Sequence, residues 1–260
     1  MKISVITVCR NAAATIVDTL QSVARQSHPD VEHIVVDGAS TDATVALVRA
    51  HGARLARLVS EPDRGLFDAM NKGIALATGE LVGFLNADDV YATDDALAQI
   101  AAACADPAVD ACYADLVYVR ADDLRRVVRY WKSGPFRAGL ARRGWMPPHP
   151  TFYARRSVYA AHGGFDLRFP RQADFELTTR LLEVRRIRAV HIPHILVRMR
   201  VGGASNNSVR NILRGNLEAY RACRMHGLAV GPLFIARKIL SRVPQFLARP
   251  PAGALPDGSQ

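Results

Sequence analysis

The amino-acid sequence predicts an α/β fold: a Rossmann-like, mainly parallel sheet flanked by helices, with a helical, basic C-terminal extension. Short β-rich runs alternate with helical stretches at the spacing of a doubly wound sheet. These runs are apolar throughout instead of alternating, as strands buried on both faces are. Composition agrees, since 49% of the 260 residues are hydrophobic and 22% charged, which excludes a mainly disordered chain and supplies a sizeable core.

ISVITVC at 3–9 and HIVVD at 33–37 read as the first two strands. Between them, residues 12–27 place Ile16, Leu20 and Val23 on one helical face. A helix over 41–51 has Ser40, Thr41 and Asp42 as candidate caps and Gly52 as its stop. A short strand near 55–60, a helix near 66–77 and an apolar strand at 81–85 (LVGFL) follow. Next come a helix near 94–104 and a strand at 110–119. Residues 120–150 are basic and rich in Gly, Pro and Trp, and read as a loop able to cover a site. A helix at 172–184, a strand at 187–191 and a turn at GGASNNS (202–208) are expected after it. The tail reads as a helix near 208–226, a basic amphipathic stretch near 231–248, and a Pro/Gly-rich end expected to be disordered.

Charge is unevenly placed. Residues 1–119 hold 8 Lys and Arg against 16 Asp and Glu, a net −8, whereas residues 120–260 hold 26 against 8, a net +18. A basic half fits a nucleic acid, an anionic membrane surface or a phosphorylated substrate, and composition does not choose among them. The four cysteines (Cys9, Cys104, Cys112, Cys223) form no CxxC pair, which argues against a disulfide framework or structural zinc and for a reducing compartment. The apolar start is only strand length before Arg10, and no later run reaches the ~18 residues of a membrane span. A soluble cytoplasmic protein is expected.

Ligands of open α/β sheets bind beyond the carboxyl ends of the strands. Asp37 follows one strand there, and Asn86-Ala87-Asp88-Asp89 follows another. Adjacent carboxylates facing a site call for a cation, and hard oxygens suit Mg²⁺ or Mn²⁺. Capping of the next helix by Asp88, Asp89, Asp94 and Asp95 is the plain alternative. Asp37 either accepts hydrogen bonds from a base or ribose, or simply ends a strand-to-helix turn that Gly38 permits.

In order and spacing, ITVCRN, HIVVDGASTDAT, SEPDRGLFDAMNKGIALATGE and FLNADD resemble the family 2 glycosyltransferases of GT-A fold. The resemblance is closest to the bacterial polysaccharide-assembly branch that includes the WcaE-like colanic-acid enzymes. It is strong over residues 1–90 and weaker over 145–205, through HPTFYARRSVYAAHGGFD, ADFELTTRLL and GGAS. It implies a glycosyltransferase domain over 1–205, with a nucleotide-sugar half (1–119) and an acceptor half (120–205), followed by the extension at 206–260.

By matched position, the resemblance implies that Thr7 and Val8 line the nucleotide pocket and that Asp37 contacts the base. Asp63 and Arg64 then lie near the nucleotide, Asn86 and Asp88 contact the donor, and Asp88 and Asp89 hold Mg²⁺ or Mn²⁺. Asn86 stands where the family's metal motif has its first acid. Asp174 matches the base that deprotonates the acceptor hydroxyl, and Ala173 replaces the Glu often found before it. An acid at a helix start is also a favourable dipole partner. His149, Trp145 and Arg180 are weaker candidates for acceptor or diphosphate contact, each with a structural alternative. The implied reaction is inverting transfer from a nucleotide sugar, by family habit a UDP-sugar, to a lipid-linked or glycan acceptor.

Arg and apolar residues interleaved in the extension fit peripheral contact with the inner face of a bacterial cytoplasmic membrane, or core-packing helices with solvated arginines. Two other functions compete. A sugar-phosphate nucleotidyltransferase normally carries a Gly-rich N-terminal phosphate loop, and ITVCRNAAAT has no glycine. A nucleic-acid or anion-binding module fits the basic half, but no recognised motif accompanies the charge, so no nucleic acid is expected.

Overall fold

The structure is a computed structural model that describes residues 1–202, 209–251 and 253–255. Among these, nine strands form one sheet: β1 (Ile3–Cys9), β2 (Val31–Asp37), β3 (Leu55–Ser60), β4 (Leu81–Phe84), β5 (Val90–Tyr91), β6 (Ala111–Val119), β7 (Val127–Trp131), β8 (Tyr153–Arg155) and β9 (Ala189–Arg200). The helices are α1 (Ile16–Ala24), α2 (Thr44–His51), α3 (Leu66–Leu76), α4 (Ala96–Ala103), α5 (Arg156–His162), α6 (Ala173–Thr179), α7 (Val209–Met225), α8 (Phe234–Leu240) and α9 (Pro244–Leu247).

The strand order is β3-β2-β1-β4-β8-β6-β9-β5, with β7 paired to β6. β1 runs parallel to both β2 and β4, and β3 runs parallel to β2. The chain therefore reverses its direction of travel across the sheet at β1, which is where a doubly wound sheet opens a ligand crevice. The second half is mixed: β8 is antiparallel to β4 and β6, β9 is parallel to β6, and β5 and β7 are antiparallel edge pairs.

All seven residues of β1 are buried, and their alternation sorts them into two layers. Ile6 and Val8 join Phe67 and Met70 of α3, and the same cluster takes in Phe175 of α6, Cys223 of α7 and Phe234 of α8. Ile3 and Val5 face the other way, onto Val23 of α1 and Leu97 and Ile100 of α4. The C-terminal helices thus reach the main core through a few side chains, Ala219, Ala222 and Cys223 of α7 and Phe234 of α8, while α9 buries none of its residues; Phe234 packs edge-on against Phe175 at 6.3 Å.

Several elements differ from expectation. The expected 120–150 loop contains β7, because VVRYW supplies β-branched and aromatic residues to pair with β6 despite its flanking arginines. The strand expected at 187–191 continues to Arg200: a two-residue register shift opposite Ala114 and Asp115 takes Pro193 and His194 out of the ladder. The expected 172–184 helix is α6 followed by a π-turn at Arg180–Val184. The amphipathic stretch near 231–248 is two short helices, α8 and α9. The expected turn at 202–208 and disordered end lie, apart from Gly202 and a few terminal positions, outside the described residues.

Candidate active site

A cavity of about 830 Å³ opens at the carboxyl ends of the parallel strands, a volume in the usual range for small-molecule sites. Val8, Arg10 and Asn11 form one wall, at and just beyond the end of β1. Asp63 and Gly65, ahead of α3, form another, and Asn86 and Asp88 stand between β4 and β5. Tyr118, Arg129 and Arg200 come from β6, β7 and β9, and Phe246 comes from α9.

The acids after β4 are the most loaded part of the cavity. Asp88 is half-buried and Asp89 fully buried. Burial pushes the Asp88 carboxyl above the usual range, and burial together with the Asp88 charge pushes Asp89 well above it. Asn86 donates from Nδ2 to Asp89 Oδ2 at 3.1 Å. This leaves Asn86 Oδ1 and Asp89 Oδ1 as buried acceptors with no hydrogen-bond partner. Neither acid caps α4, because β5 intervenes and Asp95 occupies the cap position.

The Arg200 charge acts on both carboxylates but does not offset their burial, and the buried Asn86 Oδ1 and Asp89 Oδ1 lack a donor; a hard divalent cation supplies what such oxygens need. The residues therefore fit Mg²⁺ or Mn²⁺. No cluster of three His, Cys, Asp or Glu poised to hold a metal occurs among the described residues, so further ligands would have to be phosphate or water oxygens. Arg200 steadies the segment by donating to the Asp88 carbonyl at 2.8 Å and to the Asp18 carboxylate.

The other expected residues fall into two groups. Val8, Asp63, Asn86 and Asp88 line the cavity together. Thr7 and Asp37 do not: Thr7 Oγ1 shares a 2.9 Å hydrogen bond with buried His33. The buried Asp37 carboxylate accepts from the Ser40 amide at 2.9 Å, from Ser60 Oγ at 2.6 Å, and from the Ser40 hydroxyl and Cys9 thiol. Burial raises this acid, but those hydrogen bonds outweigh it and hold it below the usual range. The loop that Asp37 fixes puts Gly38 against Asp63, where any Cβ would strike the Asp63 carboxylate. Arg64 points outward and pairs with Asp68 at 2.9 Å.

Asp174 sits half-buried in the first turn of α6, where Oδ1 accepts from the Phe175 amide at 2.8 Å. Its charge is felt at Tyr118, a cavity wall that also feels Asp89, and at His149 and Lys238. His149 packs on Phe84 and Phe165 at 5.2 and 5.6 Å, and its Nε2 is buried without a partner. Burial lowers its pKa and favours the neutral ring.

Trp145 is a loop anchor: Nε1 donates to the Ser133 carbonyl at 3.1 Å and the ring meets Tyr113 edge-on. Arg180 is fully engaged outside the cavity, with Glu176 at 2.9 Å, the Gly164 carbonyl at 2.6 Å and the His162 carbonyl. Glu176 is itself buried between Arg180 and His226, the latter at 2.7 Å.

Four lining residues have no sequence signal of their own. Arg200, Arg129, Tyr118 and Phe246 reach the cavity through the β6–β9 and β6–β7 pairings and the docking of α9. Arg129 lies over Tyr118 at 4.7 Å and Phe246 at 5.0 Å and donates to Gln245 at 2.9 Å, which ties α9 to the cavity rim.

A nucleotide-sized cavity at the switch point of this sheet, with Asp88 in its lining and Asp89 buried behind it, fits a glycosyltransferase of GT-A fold. The chain belongs to glycosyl transferase family 2, whose family profile matches residues 4–163. It is 34% identical over 182 residues to a "PGL/p-HBAD biosynthesis glycosyltransferase" of Mycobacterium bovis (strain BCG / Pasteur 1173P2), covering 68% of each chain. It is 35% identical over 181 residues to an uncharacterized glycosyltransferase of Mycobacterium tuberculosis (strain CDC 1551 / Oshkosh), again covering 68% of each.

Among solved structures, the fold is similar to the mannosyltransferase PcManGT of Pyrobaculum calidifontis in complex with GDP-Man and Mn²⁺. That likeness has a TM-score of 0.66 at 24% identity and covers all of this chain and 76% of that one. The fold is also similar to S. aureus TarS 1–349 in complex with UDP, with a TM-score of 0.62 at 21% identity, covering 84% of this chain and 65% of that one.

Proposed function

We propose that this chain transfers a sugar from a nucleoside-diphosphate sugar, a UDP-sugar first among the candidates, to a hydroxyl of a lipid-linked bacterial surface glycan, with inversion at the anomeric carbon. The observation that carries the donor side is the pair of orphaned acceptor oxygens, on Asn86 and Asp89, that flank Asp88 where it lines a cavity large enough for a nucleotide. Family membership and the nucleotide-bound neighbours support the same reading.

Asp88, with Asp89 behind it, would hold Mg²⁺ or Mn²⁺. The bound cation would offset the charge that builds on the leaving diphosphate. Val8, Arg10 and Asp63 would receive the nucleoside, with Asp37 acting on the base side by fixing the Gly38 loop beneath Asp63. Arg200 holds the Asp88 backbone in place. On the acceptor side, Asp174 would take the proton as the acceptor oxygen bonds to the anomeric carbon. The bond from that carbon to the diphosphate oxygen breaks on the opposite face, and the nucleoside diphosphate leaves. Such base catalysis is worth roughly 10²–10⁴-fold. Contact of the extension with the inner face of the cytoplasmic membrane would bring a lipid-linked acceptor to the site. No helix among the described residues is long and apolar enough to cross a membrane.

The test is a donor panel of UDP-, GDP- and dTDP-sugars with Mn²⁺, scored for nucleotide release with and without a polyprenyl-diphosphate glycan acceptor. Acceptor-dependent release from one nucleotide class is expected. Release from none of them would overturn the reading.

A further inference from the structure

We infer that a second cavity, between the 137–143 loop and the start of α8, binds the phosphate-bearing head group of a membrane lipid. The inference rests on the proposed lipid-linked acceptor only for its setting, since the donor cavity takes no part in it.

This cavity has a volume of about 710 Å³ and is lined by Arg137, Arg142, Arg143 and Arg237, with no acid in its lining. None of the four guanidinium groups donates to a side chain or carbonyl among the described residues. Four unpaired cations around one hollow repel one another, so the site favours an anion. Arginine's planar donors match phosphate oxygens in particular.

Both walls are held in place by buried contacts. Glu183 accepts from the Gly139 amide at 2.8 Å and the Ala141 amide at 3.0 Å, which fixes the loop from within and commits that carboxylate. Gly144, at φ +79°, packs directly against the Lys238 stem, which sets the spacing between loop and helix. Lys238 is fully buried, and its Nζ donates to Gln172 at 2.6 Å.

The hydrocarbon attached to the anion is read from the apolar part of the surface. Leu140, Val230 and Leu233 share the cavity with the arginines. Leu233, in that lining, and Leu240, three residues beyond Arg237 on α8, are 61% and 65% exposed. Cationic groups next to protruding apolar side chains match a phosphate head group with hydrocarbon beneath it. A free phosphate would leave the apolar residues without a partner.

The experiment is co-sedimentation of the intact protein with vesicles of phosphatidylcholine alone, with phosphatidylglycerol, or with a polyprenyl phosphate, compared with R142A/R143A/R237A. Binding to phosphate-bearing vesicles and not to phosphatidylcholine alone is expected. It should weaken about fivefold per arginine removed, on the order of 100-fold for three. Preference between the two doped vesicles tells bulk phospholipid from a lipid carrier. These arginines lie outside the donor cavity, so the variant should bind nucleotide as the wild type does, which separates this outcome from failure of the donor reading. Equal vesicle binding by variant and wild type would overturn the inference. So would free glycerol phosphate or an acidic peptide binding more tightly than the vesicles.

Discussion

Lys238 is fully buried where the extension meets the helix that carries Asp174, so replacing it with methionine has a calculable consequence. Its Nζ donates to Gln172, the residue before α6, and lies 4.4 Å from the Phe175 ring centroid. Burial, with Arg242 nearby, pulls its pKa from 10.5 down to about 7. The unfolded chain thus binds this proton more tightly than the folded one. Below about pH 7 the full cost of the buried ammonium is present, and stability rises as pH climbs toward the unfolded value near 10.4. At about 1.4 kcal/mol per pH step, the wild type gains about 3 kcal/mol between pH 7 and pH 9.5 from this group. Methionine fills similar space and does not titrate, but it leaves Gln172 Oε1 unpaired at about 1–3 kcal/mol, independent of pH. The stability of K238M relative to wild type should therefore fall by about 3 kcal/mol between pH 6 and pH 9.5, on the order of 10 °C in Tm for a chain of this size. Thermal melts of both proteins at the two pH values measure this. A difference in Tm that stays constant across them would refute the burial argument.

D174N should lower kcat by roughly 10²–10⁴-fold while leaving nucleotide binding intact, as steady-state kinetics and calorimetry together would show; unchanged turnover would remove Asp174 as the base. G38A forces a Cβ into the Asp63 carboxylate, so donor KM should rise about tenfold with circular dichroism unchanged, as expected when a site is displaced and not unfolded. E176A leaves Arg180 and His226 without their buried carboxylate and should cost about 3–5 kcal/mol in urea unfolding. Burial raises the Glu176 acid, but its two partners outweigh that and hold it below its ordinary value. Its contribution is therefore present above the unfolded carboxylate range and lost as pH falls through the folded one, and wild-type stability should drop in acid more steeply than that of E176Q.

The parallel half of the sheet was legible because β1 and β4 are nearly continuous apolar runs, β2 carries the apolar Ile34-Val35-Val36, and polar residues follow at their ends. β5 and β8 were not, since two or three residues carry no periodicity and their pairing is decided by distant partners. β9 was cut short at Pro193, a residue that ordinarily ends a strand and here sits in a register shift. In the site, position along a strand was readable, but side-chain direction was not. Thr7 and Asp37 lie beside the cavity in sequence, yet they turn into His33 and the Ser40–Ser60 pair. Arg200 and Phe246 enter it from more than a hundred residues beyond Asp88, through pairings that no local pattern announces.

The central claim is that Asp88, with its neighbouring orphaned oxygens, joins a divalent cation to a nucleoside diphosphate. Calorimetric titration of the intact protein with UDP and with GDP, each with and without Mn²⁺, for wild type and D88N, tests it directly. Binding of one nucleotide strengthened by Mn²⁺ in the wild type, with the Mn²⁺ enhancement lost in D88N, is the predicted result. Equal nucleotide affinity with and without Mn²⁺, unchanged by D88N, would contradict it.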